Sequence, residues 1–352
     1  MKYRYLTLII CLCLGFSVKA QQSDTVAAFS LKQALDYAQN HQASILNARI
    51  DEDIAKNTVK QTIGIGLPHL SGNANFQDFI KLPTSLLPGD FFGKPGTQVP
   101  VQFGVKYQSL VGLDLNQLLF DGSYLVGLQA SKTFKELSNK NLTRTRIETA
   151  VAVTKAYYSV LVSNEQLSLI DANLDRLRKS LSDTEALFKN GFVEKIDLDR
   201  LTVFKNNLET ERENVIRLLA LNVNLLKFQM GMTVNSRLTL TDSINNLQAD
   251  QALVARDSSA YRNRIEYSLL ETQKKLNEFD LKRYKSQFLP SLSAFGNTSQ
   301  SFQSNNFSEL FSSNFPSTII GLRLSVPIIS GGIKLSQVRN AKLVILKTQN
   351  DL

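Results

Sequence analysis

The feature that most constrains the fold is an internal repeat in which a helical segment runs into a Leu-Pro pair and a strand follows. Leu67-Pro68 precedes alternating apolar and polar residues over 70–77, and Leu289-Pro290 precedes a second stretch with the same opening. Alternation with a period of two is typical of a strand that has one apolar and one polar face. A duplicated unit of this kind indicates that the fold is built by duplication.

Each copy has the same order of elements: helix, strand, loop, strand, and a turn that leads into another helix. In the first copy, alternation resumes over 111–117 and ends at Phe120-Asp121-Gly122. In the second copy, residues 320–326 alternate and Ser330-Gly331-Gly332 closes the unit. The intervening stretches, about 78–100 and 301–316, are rich in turn-forming, polar and Phe residues, which predicts loops. The sequence therefore predicts two β-hairpins.

The two faces of these strands differ in chemistry. One face is apolar and suited to lipid, and the other carries polar residues suited to a watery lumen, among them Asn73, Asn75, Asp114, Asn116 and Arg323. Four strands are too few to close a membrane barrel, for which about eight is the minimum, so closure would require an oligomer. A soluble sheet with one buried face would explain the alternation equally well. Asp114 and Arg323 are candidates for setting the lumen charge, or they only solvate the strand ends.

A long helical segment with a coiled-coil pattern lies between the hairpins. Residues 131–189 contain no Gly or Pro, and apolar residues recur seven apart at Val153, Val160, Leu167, Leu174, Leu181 and Phe188. Heptad spacing of this length predicts a coiled coil. Asn190-Gly191 should end the helix, because glycine suits the left-handed position there. A second apolar pattern over 201–230, which includes Leu201, Phe204, Leu208, Val215, Leu218 and Leu225, completes an antiparallel helical hairpin.

Shorter elements complete the predicted chain. Ser30 and Gln33 form a capping-box pattern at the start of a helix that runs, with a break near Asn40-His41, to about Gly64. A small strand is predicted over 238–240, and a further long helix over about 250–287.

The N-terminus has the features of a secretory signal. Lys2 and Arg4 form a basic start, residues 6–16 are an apolar run, and Val18-Lys19-Ala20 suits cleavage after Ala20. The alternative is a membrane anchor, which needs about 20 apolar residues. Both cysteines fall within this signal, so the mature chain would lack disulfides and thiolate chemistry.

No catalytic, metal or cofactor site is predicted. The two histidines, His41 and His69, are far apart in sequence and do not have metal-ligand spacing. Nucleotide-binding and nucleophile-elbow motifs do not occur in their expected contexts. The net charge of +9 contains no basic block, so nucleic acid is not a predicted partner. We therefore expect neither enzymatic activity nor a bound cofactor.

In their order and duplication, these features resemble those of the TolC-like outer-membrane efflux proteins. The resemblance rests on the start at Phe29-Ser30-Leu31, the two Leu-Pro junctions, the two hairpin exits, and residues 188–193 between the long helices. It covers nearly the whole chain after the signal. It implies a mainly α fold with membrane β: long antiparallel coiled-coil helices plus four strands per chain in a twelve-stranded trimeric barrel.

The resemblance also implies a function and partners. The chain would be an outer-membrane channel subunit of a tripartite efflux or type I secretion system, a passive conduit with its helical tunnel in the periplasm. The implied partners are two further copies in a homotrimer, a periplasmic adaptor, an inner-membrane pump and outer-membrane lipid. The adaptor would dock on the helical tip formed by Asn190, Gly191, Phe192 and Val193, unless Gly191 only ends a helix.

Other classes stay open from the sequence alone. A structural or surface coiled-coil protein would be soluble without detergent, and a periplasmic adaptor would need a lipoyl-like β-domain, which the sequence does not show. Because the resemblance implies a second helical hairpin after residue 330, we also expect the chain to be C-terminally truncated, which would make a non-functional fragment an alternative.

The motifs divide the chain into eight segments with expected roles. In order, they are a signal peptide (1–20), N-terminal periplasmic helices (21–66), the first barrel hairpin (67–120), the long helical hairpin (121–232), a connecting segment (233–249), a periplasmic helix (250–288), the second barrel hairpin (289–330) and the start of a second helical hairpin (331–352).

Overall fold

The computed structural model describes residues 27–93, 95–244 and 260–352, so the signal peptide predicted over 1–20 lies outside the described residues. The described residues divide into two compact units, one of 27–47 and 145–244, the other of 48–93, 95–144 and 260–352. The elements, in chain order, are β1 (Ala27–Phe29), α1 (Leu31–His41), α2 (Ala43–Ile65), β2 (His69–Asp78), β3 (Thr84–Pro88), β4 (Gln98–Gln102), β5 (Tyr107–Phe120), α3 (Gly122–Lys189), α4 (Lys195–Met230), β6 (Leu238–Leu240), α5 (Ile265–Ser286), β7 (Ser291–Ser304), β8 (Asn314–Ser325) and α6 (Ile333–Asp351).

The first unit begins with the predicted capping box. The backbone N–H of Gln33 donates to Ser30 Oγ at 3.3 Å, and the backbone N–H of Ser30 donates to Gln33 Oε1 at 2.9 Å. This exchange satisfies two backbone donors that a helix start leaves without partners. The predicted break in the helix is confirmed and lies at Gln42, which has an extended backbone between α1 and α2.

The core of the first unit forms where α1, α3 and α4 meet. Its buried residues are Ala34, Ala38, Val153, Ala156, Tyr157, Val160, Leu161, Leu226 and Met230. Beside it, β1 pairs with β6 in parallel, which the sequence did not predict. The Tyr157 hydroxyl donates to Asp242 Oδ2 at 2.8 Å and lies 3.1 Å from the carbonyl oxygen of Phe29. Burial raises the pKa of Tyr157, which keeps its hydroxyl protonated as a donor.

Further along, α3 and α4 pack as the predicted coiled-coil pair. Ile170, Leu174 and Val215 form a second buried cluster. Between the two helices, Asn222 of α4 donates to Ser163 Oγ of α3 at 2.9 Å, so these two polar side chains satisfy each other. We estimate the length of α3, with 68 residues, at about 100 Å.

The apolar stripe predicted for α4 is only partly right. Phe204 is 62% exposed, and Leu218 and Leu225 are exposed as well. The residues that pack against the two buried clusters, or belong to them, are instead Leu208, Val215, Leu219, Leu226 and Met230. Their spacing alternates between seven and four residues, close to the natural period of a straight helix, whereas strict heptads drift from it.

The second unit is built on a four-stranded antiparallel sheet in the order β2-β5-β7-β8. Both predicted hairpins form, and the pairing of β5 with β7 joins the two copies of the repeat. The loop predicted over 301–316 is shorter than expected, because β7 extends to Ser304 and β8 begins at Asn314. Pro316 lies near the loop end of β8, where it pairs with Gln300 of β7.

The prediction that residues from about 78 to 100 form only a long loop is wrong. This stretch holds β3, a short 3-10 helix (Gly89–Phe92) and the start of β4, and β3 and β4 pair as an antiparallel hairpin. The prolines concealed it, since Pro88 and Pro100 are poor strand residues. Each strand of a two-stranded sheet is an edge strand, however, and an edge strand tolerates proline.

The remaining helices, α5 and α6, pack on each other, with Asn277 Nδ2 donating to Thr348 Oγ1 at 2.7 Å. Of the helix predicted over 250–287, residues 250–259 lie outside the described part. Residues Ala260–Asn263 form a 3-10 helix, and α5 begins only at Ile265. No helix in the described ranges combines the length and the apolar character needed to cross a bilayer.

The two hairpin exits differ in backbone although their sequences correspond. At the first exit, Asp121 Oδ1 accepts hydrogen bonds from Ser123 Oγ at 2.5 Å and from the backbone N–H of Tyr124 at 2.9 Å, which caps α3. At the second exit, Gly331 and Gly332 have φ values of 56° and 80°, a left-handed conformation that favours glycine. The turn that leads from the hairpin into the following helix therefore has a different local structure in each copy.

Candidate functional site: the polar sheet face and the helical tip

The register of the sheet decides which side chains share a face, because directly paired residues in antiparallel strands project to the same side. Asp114 pairs with Ser71 on one side and with Asn297 on the other. This register and the alternation along each strand put all the residues predicted to line the lumen on one face: Asn73, Asn75, Asp114, Asn116 and Arg323. That they face water in an assembled channel stays a prediction.

The opposite face is largely apolar. Leu70 pairs with Leu115, Ala74 with Val111, and Ile320 with Gly296. Large side chains on this face are exposed, and Ile320 is 85% exposed. An apolar face of this extent that the described chain does not cover is a surface for lipid or for a partner.

Asp114 is held between two amides across three strands. Asn73 Nδ2 donates to Asp114 Oδ2, and Asn297 Nδ2 donates to Asp114 Oδ1 at 2.7 Å. Gly112 makes room beside this network, since a Cβ there would lie 3.0 Å from the Cβ of Ser299 and 3.2 Å from Asn73 Oδ1. The carboxylate therefore has a fixed position on the polar face.

Sequence reasoning found Asp114 and Asn73 but missed Asn297. The signal was present, because Asn297 lies in the second copy at the position that corresponds to Asn75 in the first, counted from the Leu-Pro pair. A face-by-face comparison of the two copies would have placed Asn297 among the polar residues.

Arg323 lies apart from the Asp114 network. Its guanidinium carbon is 5.2 Å from the centroid of the Phe295 ring, a distance typical of a cation–π contact. Phe295 is itself accommodated by Gly321, where a Cβ would come within 2.6 Å of the ring. Among the described residues, no ion pair joins Arg323 to Asp114, so the two charges act separately.

The helical tip is a Schellman turn. The backbone N–H of Gly191 donates to the carbonyl of Phe188, and that of Phe192 to the carbonyl of Leu187, both at 3.0 Å. Gly191 has φ +80°, and Asn190 Nδ2 adds a bond of 2.8 Å to the carbonyl of Ala186. The turn thus contains Asn190, Gly191, Phe192 and Val193, as the sequence predicted for the break between helices.

The surface of this tip is apolar. Phe192 is 77% exposed, and Leu187, Phe188 and Ile196 are exposed around it. A Cβ built on Gly191 meets no described atom within 4 Å. The tip therefore offers an open backbone beside exposed apolar side chains, with the charged residues Lys189, Glu194 and Lys195 next to them.

A second Schellman turn, at Gly231, shows what a purely structural helix end looks like here. Its N–H donates to Phe228 at 3.1 Å, and Met232 N–H donates to Lys227 at 2.8 Å, with φ +76° at the glycine. At this turn a Cβ would lie 2.5 Å from the carbonyl oxygen of His41. The Schellman turn at Gly231 is therefore packed against the backbone at His41, whereas the one at Gly191 is open.

The helical hairpin also carries a second apolar face. On α4 this outer stripe comprises Leu218, Leu221, Leu225 and Phe228, and on α3 its counterpart comprises Ile147, Val151, Val162 and Leu169; all are exposed. The spacing of three and four residues on α4 is that of a packing seam. Nothing in the described part of the chain covers these stripes.

Within residues 27–93, 95–244 and 260–352, no group of three or more His, Cys, Asp or Glu side chains is arranged to hold a metal ion.

Comparisons with known proteins agree with this architecture. The family model described as outer membrane efflux protein matches residues 97–219. A search of curated protein sequences finds no match.

Solved structures share the fold. CusC matches with a TM-score of 0.71 at 16% identity, over 92% of this chain and 71% of that one. VceC from Vibrio cholerae matches with 0.68 at 14% identity, over 91% and 74%. The open state of MtrE from Neisseria gonorrhoeae matches with 0.64 at 18% identity, over 90% and 68%.

The sheet with two unlike faces and the long helical hairpin thus form the fold of these solved structures, and residues 97–219 match the outer membrane efflux protein family. The resemblance to the TolC-like outer-membrane efflux proteins is supported by the family model over residues 97–219, and the expected fold is confirmed over most of the chain by the solved structures. The matched family is one of channels rather than of enzymes.

Proposed function

We propose that the chain is the channel subunit of a tripartite efflux or type I secretion system and forms a passive conduit from the periplasm to the exterior. The observation that carries this proposal is the sheet of β2, β5, β7 and β8, which has one apolar and one polar face. Its outer strands, β2 and β8, have no partner on their free edges within the described chain. Open edges of this kind are not tolerated in lipid, so further strands must pair with them.

A homotrimer satisfies these edges. The four strands alternate in direction, so β8 of one copy and β2 of the next are antiparallel and continue the same ladder. Three copies give about twelve strands, within the range of known membrane barrels. The apolar face then contacts lipid, and Asp114 and Arg323 face water.

The helices support the same assembly. The outer stripes on α3 and α4 are apolar and exposed, and burial of such side chains stabilises by about 25 cal/mol per Å². Neighbouring helices of a tunnel wall in the periplasm are suited to cover them. The alternative, a structural coiled-coil protein, would leave the apolar face of the sheet without a function.

The tip is the proposed docking site for a periplasmic adaptor, which in turn links the channel to an inner-membrane pump. Support comes from the exposed ring of Phe192 and the open space at Gly191, in contrast with the packed turn at Gly231. Aromatic side chains of this kind are preferred anchors in protein interfaces.

The test is to produce the full chain with its export signal and to examine outer-membrane extracts. Native mass spectrometry should show a trimer in detergent, and planar bilayers containing the purified protein should conduct ions. A monomer that stays soluble without detergent and does not conduct would contradict the channel and favour the structural coiled-coil protein.

A further inference from the structure

An aromatic cluster marks the loop end of the sheet, away from the helices. The ring centroids of Phe76 and Tyr107 are 6.3 Å apart, and Phe307 lies 6.0 Å from Phe76 and 5.6 Å from Tyr107. Alternation along the strands puts Phe76 and Tyr107 on the apolar face, because Phe76 pairs with Ser109, two residues from Val111. Aromatic residues of membrane strands gather where hydrocarbon meets headgroups, so this cluster indicates the outer interface.

Next to this cluster lies an open cavity of about 430 Å³. Two lysines, Lys81 and Lys106, line it together with the polar residues Thr84 and Gln102. None of the described residues that line it is acidic. Asp78, whose charge acts on Lys106, lies outside the lining. The cavity is therefore cationic and rich in hydrogen-bond donors.

The same cavity has an apolar side. Ile80 and Leu82 contribute to its wall, and Ile80 is 92% exposed. The ammonium group of Lys106 lies 4.9 Å from the centroid of the Tyr107 ring, which places that charge next to the aromatic cluster. Lysines beside an aromatic belt extend their charge into the headgroup layer while their stems stay in apolar surroundings.

We propose that this cavity binds the phosphate group of an anionic lipid in the outer leaflet. Lys81 and Lys106 pair with the phosphate, Thr84 and Gln102 donate hydrogen bonds, and Ile80 contacts the lipid chains. The inference rests on the proposed function in one respect, that the apolar face of the sheet lies against lipid. Charge complementarity selects the occupant, because a cationic site at a lipid interface attracts anionic headgroups.

The expected affinity change follows from the two charges. A basic residue near a membrane surface contributes about 1 kcal/mol to anionic lipid binding, and 1.36 kcal/mol is a tenfold change, so loss of both lysines should weaken binding about thirtyfold. A neutral lipid should show no such change.

The experiment uses the full chain purified in a non-ionic detergent, with lipid binding followed by native mass spectrometry. Phosphatidylglycerol is the anionic probe and phosphatidylcholine the neutral one. The double variant Lys81→Gln/Lys106→Gln is compared with Lys132→Gln/Lys135→Gln, which removes the same charge from exposed positions on α3. We expect the first variant, and not the second, to lose the preference for phosphatidylglycerol.

Three results would overturn the proposal: equal binding of both probes by the unmodified chain, unchanged binding by the Lys81/Lys106 variant, or displacement of phosphatidylglycerol by inorganic phosphate at equal concentration. The last result would assign the cavity to a free anion. Conductance and oligomer mass are measured on the same samples, so a conducting trimer without lipid preference refutes only the lipid site. Loss of conductance by the unmodified chain refutes the channel.

Discussion

The two Schellman turns allow a direct test of how packing, rather than backbone strain alone, determines the cost of a substitution. Gly191 and Gly231 have nearly the same φ, +80° and +76°, so Ala at either position pays the same left-handed penalty of about 1–2 kcal/mol. At Gly231, the new Cβ would also lie 2.5 Å from the carbonyl oxygen of His41 and 2.7 Å from its carbonyl carbon. These are backbone atoms and have no rotamer by which to move away.

Overpacking of this kind adds about 1–3 kcal/mol, so Gly231→Ala should cost about 2–5 kcal/mol in total. With an unfolding entropy of about 2.1 cal/mol/K per residue, 1 kcal/mol corresponds to about 1.5 °C in a chain of this length. We expect the thermal midpoint of Gly231→Ala, followed by circular dichroism in detergent, to fall by about 3–7 °C. Gly191→Ala should lower it by about 3 °C at most.

Equal losses for the two variants would refute the reasoning, because they would mean that the contact with His41 contributes nothing. Gly191→Asn provides a further comparison, since Asn adopts the left-handed conformation more readily than Ala. If Gly191 only ends α3, this variant should keep its stability and its adaptor contact. If the adaptor contacts the exposed backbone at Gly191, the Asn variant should keep its stability. It should nevertheless no longer cross-link to the adaptor through a photoreactive residue placed at Val193.

Three further outcomes are expected. In bilayers, Asp114→Asn should reduce cation preference and Arg323→Gln should increase it, as seen in opposite shifts of the reversal potential under a KCl gradient; parallel shifts would exclude a role in lumen charge. Tyr157→Phe should lower the thermal midpoint by about 2–4 °C, since a buried acceptor loses its donor at a cost of about 1–3 kcal/mol. Burial raises the pKa of Tyr157 in the folded state. The contribution of Tyr157 to the free energy of unfolding is therefore present below the unfolded pKa of about 10 and is lost as the pH rises further. The unmodified chain should thus lose more stability above pH 10 than the Phe variant does. Leu221→Glu should lower the trimer fraction in native mass spectrometry, whereas Asn206→Glu, exposed on the same helix but off the outer stripe, should not.

Much of the sheet was predictable because its signal is local. Alternation over 70–77 and 320–326 required only neighbouring residues, and both hairpins formed as predicted. The pairing of β1 with β6 was not predictable, because it joins segments about 200 residues apart and each has only three residues. The hairpin of β3 and β4 was hidden because proline is a poor strand residue in general and a tolerated one only at an edge.

The candidate sites were predictable to different degrees. The glycine at the tip was identified because its conformation is required by the helix end itself. The neighbours of Asp114 were only half identified, since Asn297 comes close through the pairing of β5 with β7, a tertiary contact between the two copies. The seam of α4 was misplaced by one position at Leu218 and Leu225, because a strict heptad and a straight helix diverge over several turns.

The duplication has a consequence for the symmetry of a closed pore. When the two copies are aligned by their hairpin exits, Asp114 in the first corresponds to Arg323 in the second. Each chain then contributes an acidic and a basic residue at equivalent positions of its two hairpins. Around the proposed trimer, the sign of the charge would alternate from hairpin to hairpin. A backbone with approximate sixfold symmetry would thus carry an electric field with only threefold symmetry. A passing ion would meet alternating positive and negative regions around the pore rather than a ring of uniform charge.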